Sequence, residues 1–168
     1  MSNRAKKNKP KFLKIDFTEG EPQAEHTKCD HDLNKFPWPQ KSNSVESAVF
    51  IHRLEYIPGP DRLKFMEELY RILTPEGKAT FITCYWTSPR SIQDFRYQWP
   101  PVVEQSYLYF NKAWAEVNKT PIGKCNFDFT YGYTVDQEIA SKSQETQSFN
   151  IKHYLNSVSD LQVVLTKK

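Results

Sequence analysis

Glycine is scarce in this sequence. The five glycines lie at 20, 59, 77, 123 and 132, and no two are close enough to build a glycine-rich turn. That excludes the kind of backbone cradle in which missing Cβ atoms let a cofactor approach the main chain. Cysteine is sparser still. Cys29, Cys84 and Cys125 form an odd, widely spaced set, which fits free thiols in a reducing cytoplasm and not a disulfide framework. No apolar run approaches the ~18 residues of a transmembrane helix, so no membrane partner is expected. The basic start lacks the apolar stretch of a secretory signal. Internal repeats are absent as well.

What is present describes one modest core. The chain has 168 residues, 38% of them apolar, with a mean hydropathy of −0.72. Eleven Phe, nine Tyr and four Trp offset the low apolar share, because each ring buries a large area. A single domain over residues 11–168 is expected, preceded by a basic, flexible segment at 1–10. The net charge of +3 is concentrated there: "RAKKNKPKFLK" (4–14) holds six basic residues and no acid. Nucleic acid could be contacted only through this segment, and a solvated tail is the ordinary reading.

The element pattern is that of an α/β chain. "KFLKIDF" (11–17) reads as a strand, and "FPWPQKSNS" (36–44) as a loop stiffened by two prolines. "VESAVFIHRL" (45–54) has an apolar centre and reads as a buried strand. Residues 61–73 form the clearest helix, with Asp61 as N-cap and an apolar face at Leu63, Met66, Tyr70 and Leu73, widened by Phe65, Leu69 and Ile72. Thr74 to Gly77 turns the chain into a strand at 78–86. Strand, helix and strand in that order predict parallel pairing. Beyond them, 91–105 reads as a Pro-interrupted loop, 106–118 as a helix, 124–136 as a strand, 139–150 as polar and exposed, and "LQVVLTK" as a terminal strand.

Several polar residues carry two readings. Asp16 either binds a ligand or caps a solvated loop. Asp32 either reads a ligand or holds the loop at Asn34 through an Asx-type bond. His52 and Glu55 either act as acid, base or substrate contacts, or are structural polar partners after a buried strand. His26, Cys29 and His31 are clustered, but no second ligand pair follows at finger-like spacing, so no metal site is expected.

"DHDLNKFPWP", "SVESAVFIHRLEYIPG", "FMEELYRILTPEGKATFI" and "YLYFNKAW", with "FDFTYGY" and "IKHYLNSVSDLQVVLTK", occur in this order. The combination resembles the class I S-adenosylmethionine-dependent methyltransferases, and most nearly the small methyltransferase-like proteins common in bacteriophage genomes. The resemblance covers the chain from about residue 12. It implies a shortened Rossmann-like sheet, mostly parallel, with an antiparallel C-terminal pair, and a ligand site outside the carboxyl ends of the strands. It implies S-adenosylmethionine as cofactor, with Asp16 on the ribose and Asp32 and Leu33 at the adenine edge. It places His52 and Glu55 near the transferred methyl group, with an unknown acceptor as partner.

The departures point the other way. The first strand and its "DxGxG"-like turn are not visible, Tyr56 stands where relatives have a second His, and "DFRY" (94–97) replaces an Asp-Pro-x-His string. The alternative is a catalytically degenerate binding or assembly module. Without a first strand, its two neighbours must pair directly, which narrows the cofactor cleft, or another chain must fill the gap in a homo-oligomer.

Overall fold

A computed structural model describes residues 13–18, 21–22, 24–120 and 123–168. The basic segment at 1–10 and its suggested contact with nucleic acid lie outside the described residues.

Six strands form one sheet in the order β2-β1-β3-β4-β6-β5. They are β1 (Leu13–Asp16), β2 (Thr27–Lys28), β3 (Val45–Ile51), β4 (Leu73–Cys84), β5 (Phe127–Val135) and β6 (Val158–Lys167). The first four are parallel to one another. β6 runs antiparallel to both β4 and β5. β1 therefore pairs directly with β3, Asp16 opposite Val49, so the sheet has no gap between these strands. Of the two arrangements expected from the sequence, this is the closed-up one.

The helix between β3 and β4, α1 (Arg62–Ile72), buries Phe65, Met66, Leu69 and Ile72. This face is rotated from the expected one: Leu63 is 43% exposed, and the row through Phe65, Leu69 and Ile72 faces the sheet. Asp61 stands at the N-cap but makes no capping bond; its carboxylate lies 3.5 Å from Lys64 Nζ instead. Between helix and sheet, rings stack across three parallel strands. Phe50 lies 4.7 Å from Phe17 and 4.7 Å from Phe81, with the edges of Phe65 and Trp38 closing the cluster. Such contacts add roughly 0.5–1.5 kcal/mol per pair beyond the area they bury.

The Thr74–Gly77 turn is absorbed into the start of β4. The register against β3 jumps from Leu73 to Lys78. A Cβ on Gly77 would sit 2.8 Å from the Thr74 carbonyl oxygen, so only glycine lets the chain fold back this tightly.

The expected helix at 106–118 is broken. A 3-10 stretch over Glu104–Phe110 stops at extended Asn111, whose side chain then accepts from Trp114 N–H and caps α3 (Lys112–Asn118). A short helix, α2 (Arg90–Gln93), lies within the expected loop at 91–105. The polar stretch after β5 is helical, as α4 (Gln137–Ala140) and α5 (Gln144–His153), and is exposed as expected. No helix among the described residues is long and apolar enough to cross a membrane.

Candidate active site

β1, β3 and β4 all end at one edge of the sheet, at Asp16, Ile51 and Cys84. The chain turns sharply after β3. His52 takes a left-handed conformation (φ 50°), unusual for a residue with a Cβ and found most often where function constrains the backbone. Its N–H donates to Ile82 O at 2.8 Å, tying the turn to β4. A 3-10 turn over Leu54–Tyr56 follows, anchored by buried Leu54 and Ile57. That turn brings Glu55 back over the strand end.

His52, Glu55 and Cys84 meet there. His52 Nδ1 is 3.1 Å from Glu55 Oε1 and 3.7 Å from Cys84 Sγ. Glu55 is only 6% exposed. Its Oε1 accepts the Cys84 N–H at 2.8 Å, while Oε2 is buried with no partner. Cys84 first, then Glu55, push the His52 pKa up to about 10, against the opposing effect of burial.

The loop at 94–98 closes over this cluster. Gln98 N–H donates to Glu55 O at 2.8 Å, and Tyr97 Oη lies 3.7 Å from Cys84 Sγ. Tyr56 Oη donates to Asp94 Oδ2 at 3.2 Å, and Asp94 is also gripped by Arg96. Arg62 reaches from α1 to the carbonyls of Ile57, Gln98 and Pro100 and pins the loop. From β6, where it is the register partner of Cys84, Asp160 Oδ1 lies 3.8 Å from His52 Nε2 and is held by Arg90 at 3.0 Å.

The residues expected to bind a cofactor have local partners in the fold. Asp16 is fully buried and accepts the Thr18 N–H through Oδ1 at 2.7 Å. Asp32 makes the Asx-type bond to Asn34 N–H at 3.0 Å, which holds its carboxyl below the usual range. Leu33 is a core residue, and its carbonyl accepts from Trp38 Nε1 at 3.4 Å. The expected catalytic pair, His52 and Glu55, does come together.

Sequence reasoning missed Cys84, Tyr97 and Asp160 as members of the site. They come from distant segments, and only the β3–β4 and β4–β6 registers reveal their proximity. A cleft of about 460 Å³ is lined by Tyr85, Trp86, Glu104, Tyr131, Tyr133 and Tyr154, among others.

No protein-family model matches the chain, and no curated protein matches it in sequence. Solved structures are similar in fold. A SAM-dependent methyltransferase from Archaeoglobus fulgidus aligns at a TM-score of 0.58 and 13% identity, over 86% of this chain and 69% of that one. A candidate sarcosine dimethylglycine methyltransferase from Galdieria sulphuraria aligns at 0.51 and 16% identity, over 85% and 59%. The geranyl diphosphate C-methyltransferase of Streptomyces coelicolor is 14% identical, and the chain spans 53% of its length at a TM-score of 0.49. The mostly parallel sheet, the antiparallel C-terminal pair and the first two of these alignments agree: the chain has the fold of the S-adenosylmethionine-dependent class I methyltransferases.

Proposed function

We propose that this chain is an S-adenosylmethionine-dependent methyltransferase acting at the edge where β1, β3 and β4 end. The observation that carries the reading is the convergence of His52 and Glu55 at that edge, where open α/β sheets bind their ligands. Bound S-adenosylmethionine would supply a methyl group on a sulfonium. The chain's own part would be to hold the acceptor in line with that group. Glu55 and His52 would orient the acceptor. Asp32 and the backbone at Leu33 would face the adenine. The likeness to bacteriophage proteins would make the host cytoplasm the place of action.

A second reading, a non-catalytic binding or assembly module, is favoured by Asp16. Its carboxylate is buried and bonded to Thr18, so it cannot meet a ribose unless that segment moves. Direct β1–β3 pairing also narrows the cleft, and argues for a monomer with weak cofactor affinity.

Calorimetric titration with S-adenosylmethionine, alongside light scattering, tests both. On the first reading binding is measurable, and Asp32→Ala weakens it by about 1–3 kcal/mol. Asp16→Ala lowers folding stability instead. No heat of binding and no thermal shift at millimolar cofactor would leave the module reading.

A further inference from the structure

We propose that His52, Glu55 and Cys84 bind one divalent ion of the zinc class. This holds whether or not the chain transfers methyl groups, and it departs from the sequence reading, which expects no metal.

The three side chains offer nitrogen, oxygen and sulfur, the donor set that borderline-soft zinc prefers. Among the described residues they are the group of this kind whose ligand atoms converge, all within 4.8 Å of one another. Two of the three separations suit a tetrahedral ion, and the third lies within 4.8 Å. Ordinary zinc bond lengths put a sulfur and an imidazole nitrogen about 3.6 Å apart, and a nitrogen and a carboxylate oxygen about 3.3 Å apart. The observed separations are 3.7 Å and 3.1 Å.

Two further features point to a ligand. Glu55 is buried, and while its Oε1 faces His52 and accepts the Cys84 N–H, its Oε2 has no hydrogen-bond partner. A buried carboxylate oxygen without a donor is costly and is seldom retained without reason. Second, the ring nitrogen opposite the proposed ligand faces Asp160, itself fixed by both Asp160 oxygens lying 3.0 Å from Arg90 Nη1. Metal-bound histidines are commonly backed by a carboxylate in this way. Three protein ligands leave a fourth position. A cavity of about 10 Å³ lies against Glu55 and Cys84, bordered also by Arg62 and Tyr97, and is near the size of one water.

The surface cluster that the sequence brings to mind is a poorer competitor. The His26 ring is engaged by Ala24 O and Ser47 Oγ, the His31 ring by Lys35 O, and Cys29 Sγ by Gln40.

The test uses the full chain, stripped with a chelator and titrated with Zn²⁺ or Co²⁺. One equivalent of zinc should survive gel filtration. The cobalt form should show a thiolate-to-metal charge-transfer band and the intense visible bands of four-coordination. Cys84→Ser should abolish the charge-transfer band, His52→Ala should weaken zinc binding at least tenfold, and Asp160→Asn should weaken it about tenfold. Cys29→Ser should change nothing. Circular dichroism checks that each variant is folded. Should Cys84→Ser fail to fold, the wild-type cobalt spectrum decides. Absence of a thiolate band, loss of that band in Cys29→Ser, or equal zinc retention by folded wild type and Cys84→Ser would each overturn the proposal.

Discussion

Two buried charged side chains lie near opposite ends of β4, and they are treated differently. Near its start, Lys167 is 9% exposed. Its ammonium donates to Asn43 Oδ1 and to Leu73 O, both at 2.8 Å, and lies 4.5 Å from the centre of the Tyr70 ring. Burial lowers its pKa, and the two neutral acceptors compensate. Near the end of β4, Glu55 is equally buried, but half of its carboxylate is left without a partner. A satisfied polar network fixes a structure, whereas an incomplete one is a weakness that natural proteins keep mainly at functional sites. The contrast separates the scaffold end of the sheet from the working end.

The ring stack under both ends sets the scale of any substitution. Phe50→Ala removes the ring that contacts Phe17, Phe65 and Phe81. It should cost about 3–5 kcal/mol, read from urea unfolding at neutral pH. A cost near zero would mean that the three strands are not held together by this stack.

The comparison itself is sharpened by one substitution at each end. Lys167→Met keeps the apolar stem but strands Asn43 Oδ1 and Leu73 O, and should cost about 1–3 kcal/mol. Glu55→Gln keeps an oxygen for the Cys84 N–H, and His52, whose side chain is 29% exposed, can give up its proton. In metal-free protein that change should cost under about 1 kcal/mol, as expected where sequence is kept for function and not for stability. Reversal of this order in urea midpoints would break the distinction between the two ends.

Much of the scaffold end was legible in the sequence, because β-branched and aromatic runs separated by an amphipathic helix admit few arrangements. The parallel β1, β3 and β4 and the antiparallel final pair follow that pattern. The helix break at Asn111 was hidden, since its side chain can continue a helix or cap the next one, and packing decides. At the working end, His52 and Glu55 could be read because they directly follow a buried strand. Cys84 could not. It ends an apolar strand and looks like a core thiol, and its role depends on a neighbour 32 residues away. Asp16 shows why an acid at a strand end carries two readings, since its Oδ1 accepts a local bond from the Thr18 N–H.

The smallest expected effect concerns the loop that covers the working end. Arg96, through its side chain and its backbone N–H, holds the Asp94 pKa at about 2, below its ordinary 3.8. Tyr56 Oη adds a further bond. A carboxylate depressed in the folded state stabilises that state above its unfolded pKa, and the contribution is lost as pH falls through the folded value. The window is therefore about pH 4 down to about pH 2. Over it the loop at 94–98 should loosen and Tyr97 should leave Cys84, before the ring stack responds. Asp94→Asn should flatten the stability profile in that window and leave the profile above pH 5 parallel to wild type. Amide exchange should show the same order, with the Gln98 N–H that bonds Glu55 O losing protection before the amides of β3 and β4. If Gln98 and the central strands lose protection together, the loop is part of the scaffold, and the division between the two ends fails at its nearest boundary.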